Sequence, residues 1–229
     1  MTCKHLIDLA LCAFVAASCG GNEREARGAG APPRASGSPP SVPARSVAQP
    51  RDDAVKVKSA DGTHVIEFAA SGGDIKIEID DGGRTSRLVG ALKGSGKREY
   101  APLRGAAVAE VKSDAAGFKL RTAQGALLWK VKLDDDKIKV SDNDENHSAW
   151  VLKTKYEDKV KIVDPSEVEI GEVKFYRDRG AAKVKDMAGA ELFDSHTTRY
   201  SAAYGVLLMK GVPAELRPII MAEILIRGR

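Results

Sequence analysis

The chain has 229 residues, of which 43% are hydrophobic, 30% charged and 5% aromatic, and its formal net charge is +4. That length accommodates one domain with appendages or two small domains, and the composition excludes a collagen, a disulfide-dense mini-protein and a multi-spanning membrane protein. All three cysteines, Cys3, Cys12 and Cys19, precede Gly20, so the rest of the chain can hold no Cys-based zinc site, thiol nucleophile or internal disulfide.

The chain starts with a short segment bearing Lys4, which leads into an apolar run from Leu6 to Ser18 interrupted by Asp8. This run fits the h-region of a secretory signal of roughly 7–15 residues and falls short of the ~20 needed to span a bilayer. It ends in Ala16-Ala17-Ser18-Cys19, which resembles the lipobox of bacterial lipoproteins, where small residues precede a cysteine. The resemblance implies a signal peptide over residues 1–18, cleavage before Cys19 and acylation of that residue. The alternative is an ordinary secretory signal with a chance cysteine. At ~0.8 kcal/mol per buried CH₂, two or more acyl chains form a lasting membrane anchor where one is marginal. The residue after the cysteine is Gly20 rather than the aspartate that the family associates with inner-membrane retention. The expectation is therefore a cell-envelope protein held on the outer membrane where the cell has one.

Residues 19–51 form the next unit, the acylated cysteine followed by a stretch rich in Pro, Gly, Ala and Ser. Six of the ten prolines fall here, and Val42 and Val47 are its only β-branched aliphatic residues. Such a composition cannot offset its ordering entropy, which predicts a disordered tether with a reach of about 30 Å. Five arginines against Glu23 and Glu25 give it most of the chain's net positive charge. Residues 52–229 carry thirty basic and twenty-nine acidic residues, and that balance argues against a nucleic-acid-binding domain.

From residue 52 onward one pattern recurs. Alternating apolar and charged residues begin at Val55, Ile75, Phe118, Ile138, Val160 and Ala182, each followed by an Asp- or Gly-containing turn. The starts lie about 20–22 residues apart, except for one double-length gap that predicts a degenerate copy near Arg98-Glu99-Tyr100. Period-two alternation marks strands with one buried and one wet face, and Asp and Gly supply the turn chemistry. Second strands follow in Val65–Phe68, Leu127–Val131, Ala149–Leu152 and Val168–Phe175, the last with a register slip near Gly171 that predicts a bulge. Six or seven hairpins in series predict a mainly β fold of ~12–14 strands, an antiparallel barrel or sandwich.

Two segments break the pattern, Tyr200–Met209 and Ile219–Ile226, both apolar nearly all round and separated by Gly211-Val212-Pro213. Helices of that kind are buried, and these are too short to cross a bilayer, so one or two buried C-terminal helices are expected inside the sheet. Hairpin repeats such as Lys183–Phe193 followed by an apolar C-terminal helix resemble the tubby-like barrels, including the LURP-one-related and scramblase proteins. That resemblance implies a twelve-stranded barrel wrapped around its C-terminal helix. The phosphoinositide site of tubby domains rests on a basic cluster that does not carry over onto these residues.

Catalytic motifs are scarce. There is no G-x-S-x-G elbow, Walker loop or dinucleotide fingerprint, so no cofactor is expected. His64, His147 and His196 are far apart in sequence and lack metal-ligand spacing. Asp142-Asn143-Asp144-Glu145-Asn146 begins like a calcium loop, but His147 replaces its glycine and Lys153 its bidentate glutamate, which leaves a polar turn, as at Asp134-Asp135-Asp136. Lys56, Lys76, Lys119, Lys139, Lys161 and Lys183 are expected on the outer face, either merely solvated or in contact with a headgroup or polyanion. The expected function is a non-catalytic binding or structural role in the envelope, with membrane lipid as partner through the acyl anchor on Cys19 and an envelope protein or lipid as ligand. An envelope hydrolase whose site joins one of the histidines to a carboxylate or hydroxyl, or a lipid-handling barrel with a hollow interior, is the alternative.

Overall fold

Fourteen antiparallel strands follow one another around a closed barrel, each paired with its neighbours in sequence, and the first pairs with the last. The computed structural model describes residues 54–94 and 96–229; the segments expected as signal peptide and tether, with Cys19, lie outside the described residues. The strands are β1 (Val55–Ser59), β2 (His64–Ser71), β3 (Asp74–Asp81), β4 (Arg84–Lys93), β5 (Lys97–Pro102), β6 (Ala109–Asp114) and β7 (Gly117–Arg121). They continue as β8 (Leu127–Leu133), β9 (Lys137–Ser141), β10 (Trp150–Tyr156), β11 (Lys159–Val163), β12 (Glu169–Tyr176), β13 (Ala181–Asp186) and β14 (Glu191–His196). The six periodic starts and the degenerate copy near Arg98 are the seven odd-numbered strands. The barrel expectation holds, with two strands more than the twelve that the tubby-like resemblance implies. The bulge near Gly171 is also present, where the β11–β12 register shifts between Ile162 and Val163.

Closure follows from the alternation. Inward residues such as Val57, Ile66, Ile77, Leu120, Val131, Val140, Ile162 and Val184 are at most 2–3% exposed, while the intervening lysines and glutamates face out. The seam between β1 and β14 pairs Val57 with Ser195 and Lys58 with Asp194, and the Ser195 hydroxyl donates to the Lys56 carbonyl at 2.7 Å. Because the repeat has a two-strand period, its Asp/Gly turns gather at one end of the barrel. There the carboxylates cap backbone N–H groups: Asp164 Oδ1 accepts from Ser166 and Val168 at 2.8 and 2.9 Å, Asp186 from Ala190 at 2.9 Å, and Asp80 from Gly83 at 2.9 Å. At the opposite end the chain enters β1 at Ala54 and terminates at Arg229.

An eight-stranded barrel is about the size that side chains alone can fill. Fourteen strands leave room for more, and the C-terminal chain supplies it. A 3₁₀ helix, Ala202–Leu208, runs in from the entry end, and α1, Arg217–Leu225, runs back. Ile219, Ile220, Met221 and Ile224 are wholly buried, so α1 is enclosed on all sides as its apolar sequence requires. Pro218 sits in the first helical turn, where its missing N–H costs nothing. Arg217 secures the reversal between the two helices by donating to the carbonyls of Val212, Leu207 and Lys210 at 2.8, 3.3 and 3.3 Å. Gly205 is required where the 3₁₀ helix meets the wall, because a Cβ there would lie 2.6 Å from Leu152 Cδ2.

Candidate functional site

The one carboxylate of α1, Glu223, is fully buried in the barrel interior. Its Oε1 accepts hydrogen bonds from Arg98 Nη1 and the Tyr100 hydroxyl, both at 2.7 Å and both from inward positions of β5. Its Oε2 pairs with Arg227 one helical turn on. Arg98 also donates to the Gly73 carbonyl at 2.9 Å, and Arg227 to the Ser113 hydroxyl at 2.5 Å. The Arg227 guanidinium stacks 4.6 Å from the Phe118 ring centroid, a favourable place for a desolvated cation. Burial first, and then the neighbouring carboxylate, drive the Tyr100 phenol far above its ordinary value, so it stays a proton donor at neutral pH. Among the described residues, Arg98 Nε is the buried side-chain nitrogen or oxygen left without a partner. Chemically this is a clamp: two cations and a phenol converge on one carboxylate and fasten the plug to the wall. The hollow interior that a lipid-handling barrel needs is occupied by α1.

Outside, charge is distributed unevenly. Strands β7–β10 carry eight basic residues (Lys119, Arg121, Lys130, Lys132, Lys137, Lys139, Lys153 and Lys155) and no acidic one. All eight are exposed or half-buried. Register sets lysine against lysine: Lys112 faces Lys119, Lys119 faces Lys130, Lys132 faces Lys139, Lys137 faces Lys153 and Lys153 faces Lys161. Like charges directly opposite one another are destabilising by roughly 0.2–1 kcal/mol per pair. On β11–β14 five lysines are matched by Glu169, Glu172, Asp186, Glu191 and Asp194. There Lys159 pairs with Glu172, Lys161 with Glu169, and Lys183 with Glu191 at 2.6 Å. Hydrogen bonding to Glu172 raises the Lys159 ammonium above its ordinary value, and Glu191 does the same for Lys183.

The β7–β10 wall borrows its few anions from turns. Asp144, in the β9–β10 loop, reaches back to Lys119, whose hydrogen bond holds the Asp144 carboxyl below its ordinary value, and its carbonyl accepts from Lys130. Asp134 lies 3.3 Å from Lys132. Among the described residues Lys137, Lys139, Lys153 and Lys155 have no ion pair with an acid. A surface groove of about 400 Å³ lies between Asp114-Ala115-Ala116 and Lys119, Lys130 and Lys132, so a carboxylate shares its lining with the three lysines.

The remaining sequence candidates lie apart. Cys19 is outside the described residues. His64 and His147 are at the turn end, His196 is at the entry end, and no shared pocket gathers them. His64 Nδ1 is 3.6 Å from Asp81, and His196 Nε2 is 3.9 Å from Asp194 with its ring largely exposed, both beyond hydrogen-bond reach. The loop that begins like a calcium site is closed on itself: the Asn143 side chain donates to the His147 carbonyl and accepts from its N–H, both at 2.9 Å. A cleft of about 420 Å³ at the entry end is lined by Arg199, Tyr200, Ser201, Ile226 and Arg229, where the chain terminus closes over the plug. Lys56, Lys76, Lys119, Lys139, Lys161 and Lys183 all face outward as expected.

The sequence reading passed over Glu223 and Arg98, although a lone acid in Ile219–Ile226 and an arginine at an inward repeat position were the available signals. Comparison of the chain with protein-family models, curated proteins and solved structures finds no match.

Proposed function

We propose that this chain is a lipoprotein of the bacterial envelope, acylated on Cys19, that holds a non-catalytic binding barrel on a tether at the membrane surface. The observation that carries the binding reading is the filled interior. With α1 fastened by Glu223 in the space where a barrel would hold a ligand, the surface left for recognition is the outer wall, and that wall is electrostatically one-sided. The Ala16-Ala17-Ser18-Cys19 sequence supports the anchor, and the Pro/Gly-rich stretch supports the tether. A closed barrel around a C-terminal helix supports the tubby-like likeness, and fourteen strands instead of twelve weigh against it.

Metabolic labelling with an alkyne-tagged palmitate tests the anchor. Label is expected on the wild-type chain and lost from Cys19→Ala; equal labelling of the two overturns it.

A further inference from the structure

We infer that the β7–β10 wall is a binding face for a linear envelope polyanion, one that carries phosphate or carboxylate groups at regular intervals along a chain. The envelope setting rests on the function proposed above; the binding itself does not.

The argument starts from the register. Adjacent strands lie about 4.7–4.9 Å apart, so lysines that face each other across them spring from neighbouring backbone positions and form rows of cations across the wall. One row runs Lys112, Lys119, Lys130; a second joins Lys132 to Lys139; a third joins Lys137, Lys153 and Lys161. Four strands without an acidic residue concentrate positive potential on one side of a domain that is neutral to within one charge overall. On β11–β13 the same Lys-x-Lys pattern has glutamate partners at Lys159, Lys161 and Lys183, whereas Lys137, Lys139, Lys153 and Lys155 have none among the described residues. A chain of anions laid across the strands relieves the lysine repulsion along its length, most of all at Lys137, Lys139 and Lys153, which face other lysines and have no acid partner among the described residues.

The wall's other features select among anions. Phe118, Trp129 and Trp150 of these strands point inward, and Tyr156 at the end of β10 is the one strongly exposed aromatic, so there is no platform on which successive bases could stack. Apart from Tyr156, no large hydrophobic residue of β7–β10 is strongly exposed, which leaves little to insert into a bilayer. Point charges on short spacing suit a polymer read by its charge.

The test uses the full-length Cys19→Ala chain, so that acylation has no part in it. Binding to inorganic polyphosphate and to polygalacturonate is measured by calorimetry at low and at high salt. The chain is expected to bind at least one polymer, more weakly as salt rises. The triple variant Lys137→Glu, Lys139→Glu, Lys153→Glu is expected to lose about tenfold or more in affinity. A control with the same change in net charge elsewhere, Lys58→Glu, Lys76→Glu, Lys174→Glu, is expected to lose much less. Circular dichroism on all three proteins confirms that they are folded. The inference is overturned by failure to bind either polymer, by equal losses in the two triple variants, or by binding confined to single-stranded DNA or to vesicles of phosphatidylglycerol. Failure of the palmitate labelling would leave these measurements standing, so the two readings fail separately.

Discussion

Arg98 and Glu223 stand 125 residues apart in the chain and meet at 2.7 Å inside the barrel. The contact joins the wall at β5 to the plug at α1, and with Tyr100 and Arg227 it makes the plug's orientation specific where apolar packing alone would leave helix rotation loosely determined. A buried carboxylate is costly unless its lone pairs are taken up, and here both oxygens are.

Replacing Glu223 by Gln leaves the buried Arg98 guanidinium and the half-buried Arg227 guanidinium facing a neutral amide. The expected loss is about 3–5 kcal/mol of unfolding free energy, read from the urea midpoint. Glu191→Gln, which breaks a half-exposed pair with Lys183 on the outer wall, is expected to shift the midpoint much less. Equal shifts would mean that the clamp is incidental.

Gly90 lies opposite Tyr100 across β4 and β5, and a Cβ there would lie 2.5 Å from the ring's Cε1 and 2.8 Å from Arg98 Cδ. Tyr100 cannot retreat without giving up Glu223. Gly90→Ala is therefore expected to cost about 1–3 kcal/mol, with the damage shared with the clamp. Thermal melts of Gly90→Ala, Glu223→Gln and the double variant should show losses that do not add.

The Tyr100 phenol, and by burial the Tyr204 phenol, ionise at higher pH in the folded chain than in the unfolded one, whose value is 10.0. Their contribution to stability is complete below that value and is lost progressively as pH rises above it towards the higher folded-state values, since over that interval the unfolded chain has released protons that the folded chain keeps. The urea midpoint is expected to fall between about pH 9 and pH 11.5, and Tyr100→Phe should make the fall shallower. An unchanged slope would place Tyr100 in contact with water.

Lys139 faces Lys132 across β8 and β9. Lys139→Glu converts a repulsive pair into an attractive one and is expected to stabilise the barrel by about 0.2–1 kcal/mol, with a smaller gain at high salt. A surface lysine whose reversal raises stability while lowering polymer binding is one kept for recognition.

Much of the fold was legible in the chain because it depends on short-range pattern. Alternation at Val55–Lys58, Ile75–Ile79 and Val160–Ile162 named strands that the barrel contains, and the Asp/Gly clusters named turns whose carboxylates do cap backbone N–H groups. The second apolar segment became α1 almost as expected, and the first a 3₁₀ helix. The copy near Arg98-Glu99-Tyr100 looked degenerate because its inward positions face Glu223: Arg98 and Tyr100 stand where the sister repeats carry apolar residues such as Ile, Val, Leu or Phe. A break in the repeat was thus the trace of the clamp, visible in sequence but without meaning until its partner is in place.

The lysines mark the boundary between the two kinds of information. Alternation alone put Lys119, Lys139, Lys161 and Lys183 on the outer face, since a strand with a buried side must turn its charges to water. Whether each lysine meets a glutamate or another lysine is decided by strand register, which depends on turn length and on core residues several strands away. Thus an overall charge balance that argued against a nucleic-acid-binding domain conceals a wall on which the positive charges are collected. Local chemistry along the chain determined strands, turns and a greasy plug. Closure of the barrel, a long-range event, decided which charges became neighbours and which carboxylate was sealed inside.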